Sequence, residues 1–256
     1  METKIGIHLG RDDPLGQGAA RGADCVQFFL GDPQGWKVPP PGPDAAELAA
    51  ADMVVYVHAP YGINLASPNN RIRIPSRKLL QQHMDAAAEI GARGLIVHGG
   101  HVNKTDDPAV GFDNWRKAIE ATDLKIPLLI ENTAGGDNAM ARQAERIGRV
   151  FDAVAKAEGA EMVGFCLDTC HAHAGGIALD TAVERLRSLT GRIDLVHAND
   201  SRDAFDSGAD RHATFGTGQI DPTAIADVCR AAGSDVIVET PAEGQVDDID
   251  YLRSSI

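Results

Sequence analysis

Eight short runs rich in Val, Ile, Leu and Phe recur at intervals of about 33 residues, separated by longer Ala-rich segments with helical spacing. They are KIGIHL from Lys4, CVQFFL from Cys25, MVVYVHA from Met53, GLIVHGG from Gly94, PLLIENT from Pro127, MVGFCLDT from Met162, DLVHAND from Asp194 and VIVETP from Val236. Strand-length apolar runs alternating with helical segments mark a parallel sheet joined by helical crossovers, and one βα unit takes about 30 residues. Eight units nearly fill the 256 residues, which predicts an α/β protein with a single-domain (β/α)8 fold, the TIM barrel, over residues 1–256. A doubly wound open sheet is the alternative, but no G-x-G-x-x-G or P-loop follows any run. Helices are expected over 76–92 and 139–160, and the Pro- and Gly-rich stretch 31–44 reads as a long loop after the second strand.

A barrel of this kind does its chemistry at the C-terminal ends of its strands. Those ends carry His58 on the third run, His98 on the fourth, Glu131 on the fifth, Asp168 on the sixth with His171 just beyond, His197 on the seventh and Glu239 on the eighth. The D-R-H triplet after the seventh run adds Asp210 and His212, two alternating side chains that an extended loop points to one side. Any one of these could be a satisfied barrel histidine or a capping carboxylate. Nine together are another matter, because four carboxylates packed at one barrel mouth repel each other unless cations lie between them. Imidazole with carboxylate and no thiolate suits zinc or manganese. A catalytic zinc takes about three protein ligands, so nine donors, one of them bridging, supply about three ions. Centres with several metals serve phosphoryl chemistry, producing a nucleophile from water near neutral pH and stabilising a leaving oxygen.

Charge argues in the opposite direction, with 24 Lys plus Arg against 37 Asp plus Glu for a net −13, a field that repels nucleic acid and anionic membranes. Carboxylates that hold cations are neutralised by them, however, and a local basic rim dominates within a Debye length of about 8 Å. The four cysteines form no disulfide or C-x-x-C pattern and are expected as buried free thiols. The first residues lack a signal-peptide layout, and no apolar run is long enough to span a bilayer, so a cytoplasmic chain without membrane contact is expected.

Residues 164–171 (GFCLDTCH), 199–218 (NDSRDAFDSGADRHATFGTG), 130–135 (IENTAG) and 58–68 (HAPYGINLASP) resemble the endonuclease IV family of AP endonucleases, and the similarity spans nearly the whole chain. The resemblance implies a zinc-dependent nuclease of DNA base-excision repair that cleaves 5′ to an abasic site, leaving a 3′-hydroxyl and a 5′-deoxyribose phosphate, and also trims blocked 3′ ends. It implies three Zn2+ ions, with Mn2+ as a substitute. His58, His98 and Glu131 would hold the first; Glu131, Asp168, His197 and Glu239 the second; His171, Asp210 and His212 the third. Glu131 would be the catalytic carboxylate. The expected partner is double-stranded DNA with abasic sites or blocked 3′ ends, met by a monomer with no nucleotide cofactor.

Loops after the second and third strands would press into the minor groove. In this chain they offer Gln34, Trp36 and Tyr61, with Arg71 and Arg211 as cations for phosphate. Gln34 stands where a basic wedge is expected and Gly62 where a bulky apolar one is expected. Lys37, Arg73, Arg77, Lys104 and Arg202 are further candidate cations, and His8 and His101 lie close enough to strand ends to line the site. A sugar isomerase or epimerase is the rival enzyme class, and it leaves His171, Asp210 and His212 without a role. A catalytically dead DNA-binding or scaffold protein is the second rival.

Overall fold

The computed structural model describes residues 3–40, 45–136 and 138–256. Eight parallel strands close a barrel: β1 (Ile5–Leu9), β2 (Cys25–Phe29), β3 (Val54–His58), β4 (Gly94–His98), β5 (Leu128–Glu131), β6 (Val163–Asp168) and β7 (Leu195–Ala198), then, after the antiparallel pair β8 (Asp200–Ser201) and β9 (His212–Ala213), β10 (Asp235–Val238). Strand β10 pairs with both β7 and β1, which closes the ring. The eight runs are thus the eight strands, and the fold is the expected (β/α)8 TIM barrel.

Helices α1 (Pro14–Ala20), α2 (Ala45–Ala50), α3 (Asn70–Glu89), α4 (Pro108–Glu120), α5 (Ala144–Val154), α7 (Leu179–Thr190), α8 (Pro222–Ala232) and α9 (Gln245–Ser255) wrap the outside, and the short, mostly buried α6 (Thr169–Ala174) follows β6 directly. Three of them open with Asp-Pro: Asp13, Asp107 and Asp221 accept a first-turn N–H, while Pro14, Pro108 and Pro222 occupy the first helical position, where no donor is needed. Helix α3 starts six residues before the expected boundary at 76. Asn69 caps it through the N–H of Arg71, and Pro75 is absorbed in the second turn at the loss of one main-chain hydrogen bond. The segment 139–160 is shorter than expected: α5 begins only at Ala144, and Ala139 instead bridges to His101. Residues 31–40 of the expected loop carry no regular structure, and 41–44 lie outside the described residues.

Strand pleating sorts the side chains. Outward residues such as Phe28, Val57, Val97, Phe165 and Val196 meet Leu80, Trp115, Ile147, Leu186 and Ile249 of the helices in the main core. Cys25, Tyr56, Ile96, Leu129, Cys166, Leu195 and Ile237 form a separate buried cluster. Two residues further along each of those strands the chain carries Gln27, His58, His98, Glu131, Asp168, His197 and Glu239. A period of two returns the side chain to the same face, so an apolar plug fills the barrel and a polar ring lies directly above it. All four cysteines are buried and free, as expected. No helix among the described residues is long and apolar enough to cross a membrane.

Candidate metal centre

Glu131 occupies the centre of the polar ring, fully buried at the end of β5. Its Oε2 lies 3.0 Å from His58 Nε2 and 3.2 Å from His98 Nε2, and its Oε1 lies 3.1 Å from His197 Nδ1 and 3.2 Å from His171 Nδ1. Each oxygen therefore serves a different pair of imidazoles, which is how a bridging carboxylate is placed.

Asp168 and His171 owe their spacing to one helix start. Asp168 ends β6 and caps α6, its Oδ1 accepting the N–H of His171 at 2.6 Å, so the D-T-C-H sequence returns both side chains to one end of the helix. The β8–β9 pair brings in the D-R-H triplet. Asp210 Oδ1 lies 3.1 Å from His171 Nε2 and 3.3 Å from His212 Nε2, while Arg211, facing the other way, is held by the carboxylate of Asp203. His197 is the penultimate residue of β7, and Glu239 lies one residue past β10. The donor atoms of His58, His98 and Glu131 lie within 4.8 Å of one another, as do those of Glu131, Asp168, His197 and Glu239, and those of Asp168, His171 and His212. Asp210 and His212 form such a group with Cys170, whose thiol burial pushes up to about 12 and so keeps protonated.

The hydrogen bonds of the imidazoles test whether the centre fits a cation. His58 Nδ1 lies 2.7 Å from the Ala59 carbonyl, His171 Nδ1 2.9 Å from that of Asn132, and His212 Nδ1 3.3 Å from that of Glu239. A carbonyl only accepts, so each Nδ1 carries a proton and each Nε2 turns a lone pair toward the carboxylates. The buried Nε2 atoms of His171 and His212 make no hydrogen bond. A lone pair beside a carboxylate is repulsive unless a proton or a cation lies between them, and these residues fit a metal for that reason. The same carboxylates favour positive charge at these rings, whether a second proton or a cation supplies it. Burial works against charge at His171 and His212, yet the surrounding carboxylates raise both, His212 to about 9. Burial would raise Glu131 too, but His197, His98 and His171 hold it well below the usual carboxylate range. Asp168, buried among like charges, is raised.

The mouth opens on a cleft of about 620 Å³ lined by Trp36, Tyr61, Gly62, Ile72, His98, His101, His171 and Asp210. Trp36 and Tyr61 are each half exposed, and Tyr61 packs edgewise on His58 and tilted on His98. The indole of Trp36 covers Gly62 so closely that a Cβ there would lie 3.1 Å from it. Gln34, Arg71, Lys37, Lys104 and Arg202 are exposed, as a surface role requires. Arg77 is not available in the same way: its guanidinium turns inward to the Asn114 carbonyl at 3.2 Å. His101 joins the cleft, and His8 reaches the centre itself, 3.4 Å from Glu239.

Three buried amides in the centre were not expected from the sequence. Asn199 donates to Asp168 Oδ2 at 2.6 Å and accepts the N–H of Glu239; Asn132 accepts the N–H of Asp168; Gln27 lies between His197, Glu239 and His8. For Gln27 the signal was present, since it follows Cys25 by two residues on an inward face.

The sequence profile of the xylose isomerase-like TIM barrels matches residues 15–255. A protein of Mycobacterium tuberculosis named probable endonuclease 4 is 55% identical over 249 residues, 97% of each chain. Among solved structures, endonuclease IV from Thermus thermophilus superposes with a TM-score of 0.81 at 25% identity over 98% of both chains. A D-tagatose 3-epimerase-like protein superposes at 0.79 with 19% identity over 99% of this chain and 97% of its own, a likeness of fold alone. The chain belongs to the endonuclease IV family.

Proposed function

We propose that the chain is a metal-dependent AP endonuclease of DNA base-excision repair, hydrolysing the phosphodiester 5′ to an abasic site and also removing blocked 3′ ends. The observation that carries this reading is the grouping of the donor atoms around Glu131, which gives room for about three divalent ions, zinc with manganese as a substitute. The gathering of His171, Asp210 and His212 favours it over a sugar isomerase, which has no use for them. Family membership supports the same substrate class.

Bound in this centre, the ions supply Lewis acidity and a water nucleophile near neutral pH. His58, His98 and Glu131 would hold the first, Glu131, Asp168, His197 and Glu239 the second, and His171, Asp210 and His212 the third. An oxygen of water forms a bond to phosphorus as the P–O3′ bond breaks; the 3′ oxygen leaves and takes up a proton, and the phosphate stays on the deoxyribose. Glu131 orients the attacking water and accepts its proton. Tyr61 holds its own proton, burial and the carboxylates Glu239 and Glu131 having raised it far above its usual range, and so donates to a phosphate oxygen or a base edge. Trp36 and Tyr61 offer aromatic faces to an unstacked nucleotide, and Arg71, Gln34 and Arg211 contact the backbone of a duplex across the mouth.

Incision of a duplex with one abasic site tests the reading, with both ends of the product analysed. A 3′-hydroxyl and a 5′-deoxyribose phosphate, lost on chelation and restored by zinc, are expected. No incision by zinc-loaded protein, together with epimerisation of a ketose, overturns it.

A further inference from the structure

Gln27 is a fully buried amide in the otherwise apolar strand β2, and an amide so buried costs free energy unless its polar atoms are bonded. Its Oε1 lies 2.9 Å from Nε2 of His197, and its Nε2 lies 2.7 Å from Oε1 of Glu239 and 2.9 Å from Nδ1 of His8. Chemistry decides the orientation. An ionised Glu239 only accepts, so the amide NH2 faces it and the amide oxygen faces His197. That oxygen also only accepts, so His197 carries its proton on Nε2. Its Nδ1, 3.1 Å from Glu131 Oε1 and 3.3 Å from Glu239 Oε2, then points its lone pair among the carboxylates. His58, His171 and His212 are held the other way round, by main-chain carbonyls on Nδ1. The outer nitrogen of His197 depends on a side chain.

We propose that Gln27 is a positioning residue of the metal centre, holding His197 in the Nε2–H tautomer and engaging one oxygen of Glu239 so that the other faces the second ion. This rests on the metal-centre reading above. Partners that orient the ligands of a metal are worth about 10- to 100-fold in affinity, whereas a residue that merely fills the barrel is not. Gln27→Met keeps the length and removes all three hydrogen bonds. Gln27→Glu retains an acceptor toward His197.

The experiment uses zinc-loaded protein labelled with 15N at histidine. Proton–nitrogen spectra should show the His197 Nε2 proton hydrogen-bonded, downfield and slow to exchange in wild type and Gln27→Glu, and upfield and faster to exchange in Gln27→Met. Chelator competition should show one ion held about 10- to 100-fold more weakly in Gln27→Met, the others unchanged. Gln27→Ala, which cannot overfill the barrel, carries the same comparison where Met packs poorly. An unchanged Nε2 proton signal and unchanged zinc affinity in Gln27→Met and Gln27→Ala overturn this assignment alone. Wild-type protein that binds no zinc overturns the metal centre and this assignment together.

Discussion

Replacing Glu131 by Gln separates chemistry from binding because of where its two oxygens point. Oε2 faces His58 and His98 at 3.0 and 3.2 Å, and Oε1 faces His197 and His171 at 3.1 and 3.2 Å. An amide of the same size can present its oxygen to one pair only, and the other pair then meets an NH2 that neither ligates a metal nor accepts a proton. One ion should therefore lose a ligand, and the attacking water its base. Loss of a general base alone costs about 10²- to 10⁴-fold, equivalent to about 2.7–5.4 kcal/mol of transition-state stabilisation. Duplex affinity should change far less, because the aromatic ledge and the exposed cations lie outside the change. The assay is single-turnover incision of an abasic duplex, alongside equilibrium binding and metal content by elemental analysis. A fall confined to kcat is the signature of an interaction made in the transition state. Near wild-type turnover by Glu131→Gln would refute the bridging geometry as the source of catalysis.

Asp210 is the outermost of the candidate donors, with 53% of its side chain exposed, so Asp210→Asn should weaken only the proposed third ion, and excess zinc should restore incision. Gly62→Leu must displace the indole of Trp36, since even a Cβ lies 3.1 Å from it; tryptophan fluorescence should shift, and the preference for abasic over intact duplex should change, whereas an unaltered preference removes Trp36 from lesion recognition. Affinity for abasic duplex should fall by orders of magnitude between about 50 and 200 mM salt despite the net −13 charge, and a flat response would count against phosphate contacts. His83 is buried in α3 with neither ring nitrogen hydrogen-bonded, and burial lowers it from 6.5 to about 4. The unfolded chain therefore binds that proton more readily, so stability present above about pH 6.5 is lost as the pH falls toward 4, by up to about 3 kcal/mol. Denaturation midpoints at the two pH values should converge in His83→Leu.

The strands and the ring of candidate donors were legible because both depend on short-range periodicity. A strand reports itself by four or five apolar residues, and the position that ends it on the inward face is occupied here by His, Asp or Glu on six successive strands. Helix boundaries were less legible. Pro75 reads as a stop, yet a proline early in a helix costs one hydrogen bond, and the Asn69 cap with the packing of Leu79, Leu80 and Met84 outweighs it. The supporting amides were hidden for a different reason. Asn132 and Asn199 follow strands where a turn is the ordinary explanation for Asn, and only the closing of the barrel brings them against Asp168. The covering of Gly62 by Trp36 joins two loops distant in sequence, which no local pattern announces.

The apolar plug beneath the polar ring makes the barrel a cup and not a tube. Water, ions and phosphate all enter and leave through one mouth. Donors at the floor, Glu131, Asp168 and His197, have no exposed surface, whereas Asp210 stands at the rim. Ions bound at the floor would reach it past the rim donors, and a chelator would meet an ion at the rim first. In the proposed centre, release should therefore begin at the rim and reach the floor last. A duplex across the mouth, as proposed above, would cover that entrance, and metal exchange would then belong to the free protein.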